Sequence, residues 1–304
     1  MPDAGLTPQL TADCSFTFFC EAFGEAFHSH YGARQEAQQK FVGPCQLAEK
    51  AQAKSSLRLL DICYGLGYNS AAALETIWAV NPHCRVEWIG LEFDPAVPQQ
   101  ATAQQLLHWW HKPIPQLLKT LAQTHQVETP QLQAQLLIGD ARATIQPLSH
   151  SGFEADAIFL DPFSPPKCPQ LWTVEFLAFV TRCLQPMGKL ATYSCAASVR
   201  TALASAGLKM GSTTAVGRRS PGTVASFSSN NLLPLSQQEQ EHLRTRAAIP
   251  YHDPQLSDSA EIILQRREKE QQASALEPTT HWKKRWFNKD EGATSSRYTP
   301  LEPI

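Results

Sequence analysis

The chain has 304 residues, of which 42% are hydrophobic and 18% charged, and its formal net charge is −2. This composition supports a sizeable core and excludes wholesale disorder, and the charge excludes a globally basic surface, although a local basic face suffices to bind RNA. No apolar run reaches the ~20 residues that cross a bilayer, and the first residues lack the basic and apolar regions of a signal peptide. With eight cysteines and no Cys-x-x-Cys pair, the chain is predicted to be a reduced cytoplasmic protein.

Residues 1–55 are predicted to form a small β-hairpin and a helix that pack on the main domain. The segment Ser15–Phe19 alternates as a strand does. After Gly32, apolar residues recur at helical spacing, at Ala33, Ala37 and Phe41.

Residues 56–228 alternate between buried-strand and amphipathic-helix patterns. Strands are predicted at 57–63, 86–91, 136–138, 156–160 and 189–193, and helices include 69–80 and 171–184. Buried strands separated by such helices predict a parallel sheet covered on both faces. The segments 208–216 and 223–228 are joined by a turn rich in Gly and Pro, which predicts an antiparallel hairpin.

The predicted fold class is therefore α/β, a doubly wound Rossmann-like sheet of five parallel strands plus an antiparallel hairpin. This variant is common among methyltransferases that use S-adenosylmethionine (SAM). A nicotinamide-binding Rossmann domain would more often continue with strand, helix and strand.

Residues 229–304 are predicted to be a polar helical extension. Ser236 and Glu239 have the spacing of a capping box, which marks the start of a short helix. A second helix is predicted to begin at Ser257 or Asp258 and to end near Gln272. The basic and aromatic stretch 281–287 is predicted to be a flexible tail.

Two glycines follow the first predicted strand of the sheet. Gly65 and Gly67 allow the backbone to approach a ligand closely, and Asn69 is placed to cap the helix that follows. Ser70 stands where the third glycine of a dinucleotide fingerprint would be, so the motif by itself is a weak signal. The alternative is an ordinary strand-to-helix turn.

Acidic residues, namely Asp61, Glu92 and Asp140, stand at the ends of three successive predicted strands. An acid after the second strand suits ribose hydroxyls, and one after the third can accept a hydrogen bond from the exocyclic amine of adenine. The carboxyl ends of parallel strands meet at one sheet edge, so these acids predict a site for an adenosine-containing cofactor without a pyrophosphate. SAM is the first candidate, since its sulfonium cation also favours an acidic pocket.

The fourth predicted strand leads to Asp161, in a loop whose backbone is restricted by Pro162, Pro165 and Pro166. The pattern resembles the Asp-Pro-Pro-aromatic loop of amino-group methyltransferases. A carboxylate here can orient an amine and accept its proton, while the loop aligns the nitrogen with the methyl donor. Phe163 can pack against the target base. The alternative is a structural loop with one capping aspartate.

In combination, these motifs resemble the methyltransferase domain of MnmC, a bifunctional tRNA-modifying enzyme, and its stand-alone relatives. The matching segments are the opening 11–29, the loop 64–69, the run 161–173 and the late Gly-Arg-Arg at 217–219. The resemblance covers about residues 10–228. It implies that SAM methylates the primary amine of 5-aminomethyluridine at the tRNA wobble position, giving 5-methylaminomethyluridine.

The matching positions and the strand-end pattern together give the candidate site. The cofactor-binding candidates are Asp61, Tyr64, Gly65, Gly67, Asn69, Glu92, Phe93, Asp140 and Ala141. Asp161 is the catalytic candidate, and the substrate-binding candidates are Pro162, Phe163, Lys167, Arg218 and Arg219. The chain departs from the bifunctional enzyme at Pro162 and Cys168, where that enzyme carries Gly and Asn.

No flavin-dependent oxidase domain is evident after the methyltransferase pattern. The expected substrate is therefore the free aminomethyl form, made by another route.

A nearly neutral protein needs a local basic surface to hold tRNA. Basic candidates are Lys167 beside the catalytic loop, the arginine pair at 218–219, and Lys283, Lys284 and Arg285 of the tail. Trp282 and Trp286 of the tail could stack on unpaired anticodon bases. A solvated basic end is the alternative for the tail.

The His pairs at 28/30 and 108/111 lack a partner at metal-ligand spacing, so no metal is expected. Trp109 and Trp110 are interpreted as packing residues.

Two further hypotheses stay open from the sequence. One keeps the fold and changes the acceptor to another primary amine, in a small molecule or a protein lysine. The other is a non-catalytic RNA-binding module with a vestigial cofactor loop. A nicotinamide oxidoreductase is disfavoured by the missing third glycine and by the terminal hairpin.

Overall fold

The computed structural model describes residues 6–215 and 220–287. The chain begins with three antiparallel strands, called here the N-terminal meander: β1 (Pro8–Leu10), β2 (Phe16–Cys20) and β3 (Glu25–Ala26). Three helical segments follow: α1 (Ala33–Glu36), a π-helical turn (Ala37–Val42) and α2 (Leu47–Ala53). The predicted hairpin is thus present with one more short strand.

The central part supplies the main sheet and its covering helices. In chain order its elements are β4 (Ser56–Ile62), α3 (Tyr68–Val80), β5 (Arg85–Glu92), α4 (Ala96–Ala103), α5 (Ile114–Thr124), β6 (Gln126–Glu128), β7 (Leu132–Ile138), α6 (Ala141–His150), β8 (Ala155–Leu160), a 3₁₀ turn (Pro169–Trp172), α7 (Val174–Arg182), β9 (Leu184–Thr192), α8 (Ala197–Ser205), β10 (Lys209–Ser212) and β11 (Thr223–Ser226).

The main sheet has the strand order β10-β11-β9-β8-β4-β5-β7-β6 within the described residues. Strands β7, β5, β4, β8 and β9 are parallel, β11 runs antiparallel to β9, and β10 pairs antiparallel with β11. The predicted fold class is therefore confirmed. Strand β6, antiparallel to β7 at the opposite edge, is an element that the sequence pattern did not predict.

One predicted strand and one predicted helix have different bounds in the structure. The strand predicted at 136–138 begins at Leu132, where exposed Gln133 and Gln135 alternate with buried residues. A search for continuous apolar runs misses that alternation. The helix predicted over 171–184 is divided at Thr173, whose hydroxyl accepts a hydrogen bond from the Phe176 amide and begins α7.

Apolar side chains cover both faces of the sheet, as expected for parallel strands. Every residue of β8 is buried. On one face, Phe159 packs edge-on against Phe41 and Trp88. On the other face, α7 contributes Phe176 to a cluster with Trp172. The sheet is therefore packed on both faces.

The order of the strands places a crevice between β4 and β8. The chain runs outward from β4 through β5 to β7, and then returns to the other side of β4 as β8. The loops after β4 and β8 therefore leave the sheet in opposite directions, which is where doubly wound folds bind ligands.

The C-terminal part forms α9 (Gln237–His242), α10 (Ala260–Ala273) and α11 (Thr279–Phe287). The predicted capping box of Ser236 and Glu239 is present. The second helix begins later than predicted, because the Ser259 side chain caps it instead of Ser257 or Asp258. No helix in the two described ranges is long and apolar enough to cross a membrane.

The prediction of a flexible tail over 281–287 is wrong. These residues belong to α11, where Trp282 is buried and stacks on His242 with ring centroids 4.1 Å apart. The Trp286 indole donates to a Glu241 carboxylate oxygen at 2.8 Å. Both tryptophans thus fasten α11 to α9, because packing an indole against α9 buries apolar surface that a solvated tail would expose.

Candidate active site

The loop between β4 and α3 has the backbone that its glycines predict. Gly65 and Gly67 have φ of 58° and 87°, in the left-handed region that favours glycine. A Cβ on Gly67 would lie 2.7 Å from the hydroxyl oxygen of Tyr64, which is buried beneath the loop. The second glycine is therefore required by Tyr64 as well as by the turn.

Glu92 connects the end of β5 to this glycine loop. One of its carboxylate oxygens accepts a hydrogen bond from the Gly65 amide at 2.8 Å, and the other accepts from the Asp94 amide at 2.9 Å. The side chain is buried, and burial raises the pKa of Glu92 to about 7. Phe93, the next residue, is 76% exposed at the same edge.

Asp140 lies beside Glu92 because β7 is the neighbour of β5. The Gly139 amide donates to the Glu92 carbonyl oxygen at 2.8 Å, which joins the two strand ends. The Asp140 carboxylate accepts from the backbone amide of Arg142 and caps α6, in which Ala141 is buried. Burial acts to raise the pKa of Asp140, but hydrogen bonds from Arg142 outweigh it and hold that pKa below its usual value.

Asp61 differs from the other strand-end acids because it has no exposed surface. One carboxylate oxygen accepts from the Ser70 hydroxyl at 3.2 Å, and burial raises the pKa of this acid well above its usual value. Asp61 thus supports the start of α3 from beneath the loop. Its direct contact with a cofactor stays a prediction.

Asn69 does not cap α3 as predicted. The N-cap position is Gly67, and Asn69 lies in the first turn of the helix. Its side-chain amide donates instead to the Asp161 Oδ2 atom at 2.9 Å. The residue therefore joins the glycine loop to the catalytic loop across the crevice between β4 and β8.

The loop that carries Asp161 is held from several directions. The Asp161 amide donates to the Ile62 carbonyl oxygen at 3.1 Å. The Tyr193 hydroxyl donates to the carbonyl of Pro162 at 2.8 Å, and the Trp172 indole donates to the carbonyl of Phe163 at 2.9 Å. The predicted rigidity of the loop thus comes from these hydrogen bonds as well as from its prolines.

The N-terminal meander completes the wall of the site, which the sequence analysis did not predict. Glu25 accepts hydrogen bonds from the amide and the hydroxyl of Ser164. The Phe23 ring stacks on Phe163 with centroids 4.4 Å apart, and Phe27 meets Phe163 edge-on at 5.1 Å. A Cβ on Gly65 would lie 3.6 Å from Phe27. The spacing of Phe23 and Phe27, in an aromatic stretch before the first helix, was the available signal.

The basic substrate-binding candidates are placed unequally. Lys167 is exposed, and its Nζ atom lies 3.8 Å from the position of a Cβ on Gly24 of the meander. Arg218 and Arg219 lie outside the described residues. In α11, Arg285 pairs with Glu277 and Glu241, so its charge is compensated. Of the basic candidates in the described part of the chain, Lys167 is the one beside the catalytic loop.

Comparison with known proteins decides the family. A model of an S-adenosyl-L-methionine-dependent methyltransferase family matches residues 104–228. The crystal structure of MnmC2 from Aquifex aeolicus aligns with a TM-score of 0.78 and 34% sequence identity, covering 90% of this chain and 87% of that one. This chain belongs to the MnmC methyltransferase family.

Relatives of known sequence extend the comparison. The MnmC of Ralstonia nicotianae, a "tRNA 5-methylaminomethyl-2-thiouridine biosynthesis bifunctional protein", is 30% identical over 233 residues, 73% of this chain and 34% of that protein. The uncharacterised protein MJ0670 of Methanocaldococcus jannaschii is 28% identical over 264 residues, 85% of this chain and 70% of that protein. The chain thus spans about a third of the bifunctional relative.

As a member of the MnmC methyltransferase family, the protein is a SAM-dependent methyltransferase. The residues present fit this cofactor. Glu92 and Asp140 supply carboxylate acceptors at the ends of two neighbouring strands, which suits the ribose hydroxyls and the amino group of an adenosine. The glycine loop beside them lets backbone approach the ligand closely. The individual cofactor contacts stay predictions.

Proposed function

We propose that the protein N-methylates the primary amine of 5-aminomethyluridine at the wobble position of tRNA, giving 5-methylaminomethyluridine. The observation that carries this proposal is the hydrogen bond between Asn69 and Asp161. It places a carboxylate on a proline-restricted loop directly beside the predicted cofactor loop, as methyl transfer to an amine requires. The similarity to MnmC2 over most of both chains supports the choice of acceptor.

Methyl transfer requires the acceptor amine in its deprotonated form. An alkylammonium titrates near pH 10.4, so exposing its lone pair at pH 7 costs roughly 4–5 kcal/mol. Asp161 can accept the amine proton, because its carboxylate is a general base that Asn69 holds beside the predicted cofactor loop. When bound, SAM supplies the methyl group.

The proposed substrate face is formed by the catalytic loop and the N-terminal meander. Phe23, Phe27 and Phe163 form a partly exposed aromatic cluster against which a uracil ring can stack. Lys167 and the arginines at 218–219 are proposed to meet phosphates of the anticodon loop. Pro162 is buried, so its proposed role is to set the shape of the loop.

The proposed location of the protein is the cytoplasm. Its tRNA substrate is expected there, and so are its eight unpaired cysteines.

The test is methyl transfer from labelled SAM into tRNA that lacks the modification, followed by digestion and nucleoside analysis. Label is expected in 5-methylaminomethyluridine and is expected to be lost with Asp161→Ala, which should still bind SAM. Label in another nucleoside would overturn the choice of acceptor. If no label enters tRNA while SAM binds normally, a small amine or protein lysine becomes the substrate to seek, and excess tRNA should then fail to compete.

A further inference from the structure

A polar chain links the acid at the end of β7 to the C-terminal part of the protein. Arg142, the second residue of α6, contacts the Asp140 carboxylate through Nε at 3.2 Å and through Nη2 at 2.8 Å. Its remaining terminal nitrogen, Nη1, donates to Asp253 Oδ2 at 2.9 Å and to the Asp258 carbonyl oxygen at 2.9 Å. One guanidinium therefore bridges the predicted cofactor acid and the segment that precedes α10.

The distant end of this bridge is fixed. Asp253 is fully buried, and its Oδ1 accepts from the amides of Ser257 and Asp258 at 3.1 Å each. Its own amide donates to a carboxylate oxygen of Glu175, in α7, at 2.8 Å. Both carboxylate oxygens of Asp253 are hydrogen-bonded, one to backbone amides and the other to the Arg142 guanidinium. Asp253 therefore restricts the position of Arg142.

The hydrogen bonds from Arg142 limit how many further donors the Asp140 carboxylate can accept. Its carboxylate already receives three donors, which are the Arg142 amide, Nε and Nη2. A carboxylate has about four acceptor sites, so the arrangement leaves about one for a further donor. The Asp140 side chain is 41% exposed, whereas Arg142 is 14% exposed, so that site is accessible to a ligand.

We propose that Arg142, held by Asp253, is a positioning residue that orients Asp140 to accept a single hydrogen bond from the 6-amino group of the cofactor's adenine. The C-terminal part of the chain thereby contributes to selectivity for a 6-aminopurine over a 6-oxopurine. This inference rests on the proposed assignment of Asp140 to the adenine.

The experiment compares binding of S-adenosylhomocysteine with that of S-inosylhomocysteine, which carries a 6-oxo group, by calorimetry on the full-length protein. The wild type should prefer the 6-amino compound at least about tenfold, because a carboxylate facing a carbonyl oxygen leaves both without a donor. Arg142→Met should lower this preference severalfold. The matched control is Arg266→Met, which removes another arginine bonded to the same segment, at Asp258, but not to Asp140.

Several outcomes separate the inference from the assignment beneath it. If Arg142→Met weakens both ligands equally, or neither, Arg142 is structural only and the inference fails. If Asp140→Asn keeps the full preference, Asp140 does not contact the base and the assignment fails with it. Asp253→Asn provides a second variant should Arg142→Met not fold, and it should shift the preference in the same direction. A wild type without preference would also overturn the inference.

Discussion

Asn69 donates its side-chain amide to the Asp161 carboxylate at 2.9 Å, although the two residues are 92 positions apart. Asn69 belongs to the helix that follows the glycine loop, and Asp161 begins the loop after β8. The hydrogen bond therefore couples the predicted cofactor side of the crevice to the acceptor side, and it fixes which way the carboxylate faces.

Removing this hydrogen bond should mainly slow the chemical step. In Asn69→Ala, kcat is expected to fall at least about tenfold, since a hydrogen bond to a charged group contributes about 1.5–3 kcal/mol. Rapid-quench kinetics with saturating SAM would measure the change. In an Asp161→Ala background the same substitution should have no further effect, because residues that act as a unit are not additive. A large loss of SAM affinity with unchanged kcat would instead make Asn69 a cofactor ligand alone.

SAM affinity should depend on pH through Glu92. Burial raises the pKa of this acid to about 7, and only the ionised form can accept hydrogen bonds from two ribose hydroxyls while keeping those from backbone amides. Affinity should thus rise about tenfold between pH 6 and pH 8. Titration calorimetry would measure it, and Glu92→Gln should remove the dependence. A pH-independent wild type would exclude Glu92 from the cofactor site.

The same raised pKa has the opposite effect on stability. Because the folded pKa lies above the unfolded value, the stabilising contribution of protonated Glu92 is complete below about pH 4.5 and is lost as pH rises through about 7. Relative to wild type, Glu92→Gln should therefore gain roughly 2.5 kcal/mol in free energy of unfolding between pH 5 and pH 8. Urea denaturation at the two pH values measures this gain, and a constant difference would contradict it.

The contact between the N-terminal meander and the catalytic loop should matter for turnover. In Glu25→Ala, Ser164 loses both of its hydrogen bonds to the meander, so the catalytic loop and Phe163 should become less well positioned. We expect kcat/KM for tRNA to fall about tenfold while SAM affinity stays within about twofold. Glu21→Ala, an exposed acid of the same meander, is the control for the change in charge. Equal kinetics in the two variants would show that the contact is dispensable.

A buried ion pair attaches the C-terminal part to the sheet. Arg200 is buried in α8 and donates to Glu239 at 2.7 Å, and Glu239 also accepts from Ser212 of β10 at 2.9 Å. Glu239→Ala leaves the arginine buried without its carboxylate, which should lower the free energy of unfolding by about 3–5 kcal/mol. Glu268→Ala, on the exposed side of α10, should change it by less than about 0.5 kcal/mol. A similar small change in both variants would mean that the pair is not coupled to folding.

Local sequence was sufficient for the five parallel strands, for the antiparallel hairpin and for the acids at the sheet edge, but not for β6. Short apolar runs such as β8, separated by amphipathic helices, are typical of strands covered on both faces. The two glycines permit the left-handed backbone of the first loop, and the three prolines restrict the backbone of the other. Since parallel strands bring their carboxyl ends to one edge, the acids at the ends of β4, β5 and β7 were expected together. They do lie together there, although Asp61 lies beneath the loop instead of in the cleft.

Only the tertiary structure decided the partners of these residues. Glu25 and Ser164 are 139 positions apart, and nothing in the pattern around either distinguishes Glu25 from exposed Glu21. The aromatic residues show the same limit. Trp282 was predicted to stack on RNA but is buried against His242, whereas the contact of Phe23 with the catalytic loop was not predicted. The physical reason is that periodicity and turn chemistry act over a few residues. Which side chain fills a given contact depends instead on how whole helices and strands pack, and that information is spread over the entire chain.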